Sequence, residues 1–153
     1  MSWTRLVVAA AAALVVLSAS NAFAQASCTI SVTSVNFGSY NVFGGSATDS
    51  TGTVVYNCNN MAHNIVITLS KGASSSFNPR TMTRSGETLN YNLFRDAART
   101  TIWGDGTSGT STYSDNNPPN ATNVTVTVYG RVPSGQDVSA GVYSDTVSAV
   151  INF

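Results

Sequence analysis

The C-terminal eleven residues alternate between apolar and polar side chains. Asp145 is the one charged residue on the apolar face of residues 143–153, and Val150 is the one apolar residue among the polar positions. A period of two predicts a half-buried β-strand over these residues. Its apolar face consists of Tyr143, Val147, Ala149, Ile151 and Phe153. A strand edge of this kind pairs with another chain unless something covers it.

Similar alternation and short apolar runs predict further strands, and no stretch of useful length has the helical period. The predicted strands cover residues 28–37 (with a kink near residues 33–34), 53–58, 65–69, 80–84, 89–95 and 122–129, and residues 99–103 return as a short partner of 89–95. Turn-forming residues predict loops at residues 38–52, 71–79, 104–109 and 115–120, and residues 131–141 cross over to the terminal strand. About seven strands at this spacing predict an all-β sandwich.

Residues 1–24 have the features of a signal peptide, and we predict one domain over residues 25–153. Arg5 precedes an unbroken apolar run at residues 6–17, and Ala22, Phe23 and Ala24 fit the small-x-small cleavage rule. The apolar run is shorter than the roughly 20 residues that a membrane-spanning helix needs. We therefore expect export without stable membrane insertion, and a signal anchor is the competing interpretation.

The charge of the predicted mature chain excludes some classes of partner. The sequence has seven basic and seven acidic residues, and removal of Arg5 with the signal peptide leaves a net charge near −1. Such a chain lacks the basic surface with which proteins bind nucleic acid or anionic membranes. Its abundant Ser, Thr, Asn and Gly are typical of extracellular β proteins.

Two cysteines, Cys28 and Cys58, remain after the predicted cleavage. In an oxidising compartment an even pair predicts one disulfide, with Cα atoms about 4.4–6.8 Å apart. Closing a loop of about 30 residues contributes roughly 3–4 kcal/mol on the chain-entropy model. Half of a metal site is the alternative, but His63 is the only histidine and no second cysteine pair is present.

The sequence gives little support for catalysis. A Ser–His–Asp arrangement would have to use His63, which lies in a polar loop, and the seven acidic residues are scattered singly. Asp105 lies in a Gly-rich segment that lacks the further oxygen ligands of a calcium loop. We therefore predict no enzyme, no catalytic residue, no cofactor and no metal site, and a structural or binding role instead.

The combined motifs resemble the spore coat protein U domain family, which includes subunits of archaic, Csu-type chaperone–usher pili. The resemblance covers essentially all of residues 25–153, with the motifs in order. They are CTISV at 28–32, VNFGSY at 35–40, STGTV at 50–54, LNYNL at 89–93, RDAART at 95–100, WGDG at 103–106, YGRVP at 129–133, AGVYSDT at 140–146 and INF at 151–153.

The resemblance implies an immunoglobulin-like sandwich that lacks its final strand and is completed by a strand from another chain. The implied partners are a periplasmic pilus chaperone, an outer-membrane usher and other pilus subunits. The implied location is the cell surface, reached through the periplasm. The terminal strand would then be the chaperone-binding element, with Val147, Ala149, Ile151 and Phe153 facing the groove.

One departure from the family pattern concerns position in a fibre. A fibre-forming subunit of this kind carries an alternating apolar segment before its first cysteine, whereas only Gln25, Ala26 and Ser27 separate the predicted cleavage site from Cys28. This predicts a minor or tip subunit, structural or adhesive, that accepts a strand without donating one. The alternative is a secreted spore or cell-envelope coat protein that makes no fibre.

Overall fold

The computed structural model describes residues 25–59 and 62–153, so the predicted signal peptide lies outside the described residues. The described part forms eight β-strands and contains no helix. The strands are β1 (Cys28–Thr33), β2 (Thr48–Cys58), β3 (Ile65–Leu69), β4 (Arg80–Arg84), β5 (Glu87–Phe94), β6 (Tyr113–Asp115), β7 (Val124–Val132) and β8 (Ala149–Asn152).

The strands form two sheets, and every strand pair is antiparallel. One sheet has the order β1-β2-β7-β5-β4, and the other has the order β6-β3-β8. Strands β1 and β4 are the edges of the first sheet, and β6 and β8 are the edges of the second. The chain thus places its first and last strands at sheet edges.

The core lies between the sheets because each central strand turns alternate residues inward. In β2, Val54, Tyr56 and Cys58 are almost fully buried, and the intervening residues are half-buried. Buried residues of β3, β5 and β7 complete the layer: Ile65, Ile67, Leu69, Leu89, Tyr91, Leu93, Val128 and Val132. Trp103 is fully buried and donates its indole N–H to the Ile67 carbonyl at 3.0 Å. Burying one such side chain stabilises the fold by about 1.5–3 kcal/mol.

The predicted strands agree with the structure where side-chain alternation decides the outcome. The bounds of β3 and β4 are those predicted, and β1 ends at the predicted kink. Strand β2 is longer than predicted because residues 48–52 pair with residues 128–132 of β7. Residues 99–103 return beside β5 as predicted, with backbone hydrogen bonds from Arg95 N–H to the Thr101 carbonyl and from Trp103 N–H to the Leu93 carbonyl, but they form isolated bridges rather than a strand. Strand β6 was not predicted.

The terminal segment differs most from its prediction. Only residues 149–152 form a strand, which pairs with β3. Earlier in the segment, Ser144 forms a bridge with Thr83 of β4, in the other sheet. The segment is extended but is not one strand, because its two halves pair with different sheets.

After β1 the chain crosses over β2 and β7 at two glycines. A Cβ on Gly52 would lie 2.6 Å from the Thr33 carbonyl oxygen, and one on Gly130 would lie 2.6 Å from Val35 Cγ1 and 2.8 Å from the Phe37 ring. These distances are too short for any larger residue without rearrangement. The two glycines therefore let residues 34–40 lie directly on the inner face of the first sheet.

Cys28 and Cys58 form a disulfide that joins the start of β1 to the end of β2. The two residues are direct partners in the β1–β2 register, and their Cα atoms are 4.1 Å apart, just below the predicted range. The neighbouring Asn59 N–H donates to the Ser27 carbonyl at 3.0 Å, so the cysteines occupy a non-hydrogen-bonded pair, where antiparallel strands approach most closely.

Candidate functional site

An apolar groove of about 980 Å³ opens at the side of the sandwich. Its first wall is the end of β1 and the segment that follows it, residues 32–43, and its second wall is the terminal chain, mainly residues 138–147 and Ala149. Its floor consists of Val54, Leu69, Met82, Leu89, Tyr91, Leu93, Val128 and Val132. Most of these floor residues are buried members of the core, so the groove opens directly onto the hydrophobic interior.

Each wall has an edge that no strand of the described chain pairs with. Residues 34–40 lie outside every β-ladder, and the terminal chain is paired on one side only, with Thr83 of β4 through Ser144 and with β3 through β8. Both walls are extended, and their inward side chains, among them Val35, Phe37, Tyr143 and Val147, are partly buried against the core. The geometry is that of a sandwich with an open lane between two extended segments.

The hydrogen-bonding pattern shows which backbone groups of the second wall are open. Leu69 and Ala149 are the last pair of the β3–β8 ladder, and just beyond them Ser70 N–H donates to the Ser148 carbonyl at 2.9 Å, so Ser148 occupies a position whose backbone faces β3. Such positions alternate along antiparallel strands. The backbone N–H and C=O groups of Val147, Ala149 and Ile151 therefore point away from β3, toward the unpaired edge.

The four residues predicted to face the groove have different positions. Val147 and Ala149 line it. Ile151 packs against the core beyond the groove, and Phe153 is 51% exposed and outside the groove lining. The structure thus brings two of the four together, because the groove follows the first half of the terminal segment rather than its end.

Two carboxylates hold the terminal wall in place. Asp145, the one charged residue on the apolar face of the terminal segment, accepts hydrogen bonds from the Tyr91 hydroxyl at 2.7 Å and from the Ala73 N–H at 2.9 Å. Burial, and then the bond to Asp145, raises the pKa of Tyr91 above its ordinary value. The tyrosine therefore remains a neutral donor and anchors the wall to β5.

Glu87 anchors the same wall nearer its start. Its carboxylate accepts hydrogen bonds from the Ser139 hydroxyl and the Tyr143 hydroxyl, each at 2.6 Å. These two bonds, the Ser139 bond first, lower the pKa of Glu87 below its ordinary value near 4.5. Since both donors belong to the terminal wall, the charge state of Glu87 is linked to the position of that wall.

We expect acid to loosen the terminal wall through Glu87. A carboxyl group whose pKa is lower in the folded state contributes stability above its unfolded pKa, and this contribution is lost as pH falls through the folded pKa. Glu87→Gln should therefore reduce the loss of stability between about pH 5 and the folded pKa, which urea unfolding at a series of pH values would measure. Asp137→Asn is the matched control on the exposed crossover. Identical pH profiles for wild type and Glu87→Gln would contradict the linkage.

Several features of the site were not predicted from the sequence. The first wall falls partly in a predicted loop, and Ser70 had no assigned role. Phe43 and Val142, at the groove rim, are 95% and 86% exposed. Each is an apolar residue in a Gly- and Ser-rich loop, and this was the sequence signal that could have marked it as part of a binding surface. That both lie at the rim of one groove depends on the fold.

His63 and Asp105, the residues considered for catalysis and for metal binding, both lie in loops. Residues 25–59 and 62–153 contain no group of three or more His, Cys, Asp or Glu side chains placed to hold a metal ion. Asp105 accepts hydrogen bonds from the backbone and hydroxyl of Thr107, as in a simple turn. His63 is exposed. In the same ranges no helix is long and apolar enough to cross a bilayer.

The chain matches a known protein family. Residues 12–150 match the model of the Spore Coat Protein U domain. The chain belongs to this family. The resemblance inferred from the sequence motifs is thereby confirmed. Protein U of Myxococcus xanthus is 40% identical over 85 residues, which are 54% of this chain and 45% of that protein, so the alignment spans less than half of the relative.

This Spore Coat Protein U domain has a fold similar to that of a protein of known structure. The matching structure is the crystal structure of the CsuC-CsuE chaperone-tip adhesion subunit pre-assembly complex from archaic chaperone-usher Csu pili of Acinetobacter baumannii. The match has a TM-score of 0.62 at 21% identity and covers 84% of this chain and 40% of that chain. Together with the two antiparallel sheets, it confirms the predicted all-β, immunoglobulin-like sandwich.

Proposed function

We propose that this protein is a structural or adhesive subunit of a cell-surface pilus assembled by the chaperone–usher route. The groove would accept a β-strand, first from a periplasmic chaperone and then from a neighbouring subunit. The observation that carries the proposal is the open groove, with a floor of core residues and an unpaired strand edge along one wall. Membership of the Spore Coat Protein U domain family and the likeness to the Csu complex support it.

The groove has the two properties that strand addition requires. An incoming strand would pair with the open backbone groups of Val147 and Ala149, which gives affinity without regard to side chains. Its alternate side chains would lie on the apolar floor, where each one fully removed from water contributes about 1.5–3 kcal/mol. The groove should therefore prefer a strand with apolar residues at every second position.

The remaining partners and the route follow from the same proposal. We propose that residues 1–24 direct export to the periplasm and are removed there, leaving the domain over residues 25–153. An outer-membrane usher and other pilus subunits are the further partners, and the cell surface is the destination. The proposed role is not enzymatic and uses no cofactor. The minor or tip position in a fibre stays a prediction from the sequence.

A secreted coat protein that makes no fibre is the second candidate. The match to Protein U of Myxococcus xanthus and the family description favour it. Its structural support is that the first wall already contributes to the core: Phe37 packs edge-on against Tyr91 with ring centroids 5.9 Å apart, and the Tyr40 hydroxyl accepts the Gln136 N–H at 2.9 Å. If the protein is such a coat protein, residues of its own first wall cover the core well enough that no strand from another chain is needed.

A synthetic donor peptide distinguishes the two candidates. The probe is a peptide of about ten residues, a typical strand length, alternating Val or Ile with Thr or Asn. If the groove accepts a strand, the peptide at 100 times its Kd should stabilise the exported chain by about 2.7 kcal/mol, measured as a rise in Tm.

Two matched peptides make the result specific. A scrambled peptide of the same composition lacks the alternation, and a peptide N-methylated at alternate residues keeps the side chains but loses backbone donors. Neither should raise the Tm. A cooperative unfolding transition with a high Tm that none of the three peptides changes would instead support the coat protein.

A further inference from the structure

Ser70 stands where the terminal chain changes its partner. The β3–β8 ladder extends to Leu69 and Ala149, and Ser70 then donates its N–H to the Ser148 carbonyl at 2.9 Å. Four residues earlier the terminal chain is bonded to β4, since Thr83 N–H donates to the Ser144 carbonyl at 2.9 Å. The chain therefore passes from one sheet to the other between Ser144 and Ser148, next to Ser70.

The hydrogen bonds at Ser70 are not those of a regular ladder. In a hydrogen-bonded antiparallel pair, each N–H donates to the partner's carbonyl. Here the Ser148 N–H donates to the Ser70 side-chain Oγ at 2.9 Å. The Ser70 carbonyl is occupied by Arg80, whose Nε and Nη2 donate to it at 3.1 and 2.8 Å. The Ser70 hydroxyl thus accepts the Ser148 N–H in place of the Ser70 carbonyl, which accepts hydrogen bonds from Arg80 instead.

Arg80 is fixed by the core in which it is buried. Its side chain is fully enclosed and forms no ion pair among the described residues. Nη1 donates to Asn92 Oδ1 at 2.9 Å, and Nη2 donates to the Trp103 carbonyl at 2.7 Å. A buried charge must be satisfied by hydrogen bonds, and the planar guanidinium can reach several acceptors in fixed directions. Ser70 is consequently held by the interior, independently of the terminal chain.

We infer that Ser70, held by Arg80, is a positioning residue that fixes the register of the strand edge facing the groove. Its hydroxyl holds the Ser148 N–H, ends the β3–β8 ladder there, and so aims the neighbouring backbone groups of Val147 and Ala149 at the open lane. This inference rests on the proposed function only where it concerns the incoming strand. The register of the edge itself is a property of the free protein.

Amide hydrogen exchange of the exported chain tests the register directly. Ser70→Ala removes the acceptor of the Ser148 N–H, and exchange at Ser148 should become on the order of tenfold faster, as expected for the loss of one hydrogen bond. The amide of Val150, on the same strand, is the internal control and should change little. Ser70→Thr retains a hydroxyl and should restore slow exchange. Unchanged exchange at Ser148 in Ser70→Ala would overturn the inference.

Binding of the alternating donor peptide then separates this inference from the proposed function. If the wild type binds the peptide, Ser70→Ala should weaken binding about tenfold and Ser70→Thr should restore it, since the hydrogen bond from the Ser148 N–H to the Ser70 hydroxyl sets the edge. Equal affinity of wild type and Ser70→Ala would overturn the effect on the incoming strand. If even the wild type ignores the peptide, the proposed function fails, while the exchange rates still decide whether Ser70 positions the edge.

Discussion

Replacement of Val147 by aspartate is expected to abolish binding of the alternating donor peptide. Val147 lines the groove with its side chain partly buried against the core, and its backbone groups face the open edge. An incoming strand would enclose the new carboxylate next to apolar residues, and burying an unpaired charge costs several kcal/mol. The affinity should fall at least about 100-fold, which corresponds to roughly 2.7 kcal/mol.

Val150→Asp is the matched control for this prediction. Val150 has the same side chain and lies three positions away on the terminal chain, but it is 51% exposed and outside the groove lining. Its replacement should change the affinity less than about threefold, as expected of a surface substitution. Isothermal titration gives both affinities, and the Tm of each variant without peptide separates weakened binding from unfolding. Equal losses of affinity in folded Val147→Asp and Val150→Asp would contradict a groove-bound strand.

The groove also determines which part of the terminal strand matters most. From the alternation alone, Ile151 and Phe153 would be the natural choices for disruption. The structure places Ile151 against the core beyond the groove and leaves Phe153 half exposed. Ile151→Asp should therefore lower the free energy of unfolding of the protein, whereas Phe153→Asp should change the affinity for the donor peptide little.

Removal of the disulfide is expected to cause the largest loss of stability. Cys28 and Cys58 are 30 residues apart in sequence, and Cys58 is almost fully buried. Cys28→Ala combined with Cys58→Ala should lower the free energy of unfolding by about 3–4 kcal/mol on the chain-entropy model. The Tm should fall by roughly 10 °C or more for a domain of this size. Urea unfolding and calorimetry measure the two quantities.

The reduced wild-type protein is the natural comparison for the double alanine variant, because it breaks the same bond without changing the side chains. The two should agree closely. The disulfide also fixes β1, which continues into the first wall of the groove, so the loss of peptide affinity should accompany the loss of stability. An unfolding midpoint unchanged by reduction would contradict a stabilising role.

Local side-chain patterns predicted most of the strands for a clear physical reason. Alternation of apolar and polar residues reports which face of a strand is buried, and this property is encoded residue by residue. Thus β3 and β4 have the predicted bounds. The pattern was insufficient where pairing rather than burial makes a strand: residues 48–52 contain Thr, Asp, Ser and Gly, yet they form part of β2 because β7 lies beside them.

The sequence by itself determined the all-β class, the pairing of the two cysteines, the apolar face of the terminal segment and the family. Only the tertiary structure decided that the first half of this segment pairs with Thr83 of β4 and its second half with β3. It also decided that a groove lies between the segment and residues 32–43. The physical reason is that a side-chain period is local, whereas hydrogen-bond partners and the walls of a groove join residues about 100 positions apart. The roles of Ser70 and Arg80 arise only from that three-dimensional arrangement. The buried Arg80 guanidinium binds the Ser70 carbonyl, so the Ser148 N–H of the distant terminal chain bonds to the Ser70 hydroxyl instead.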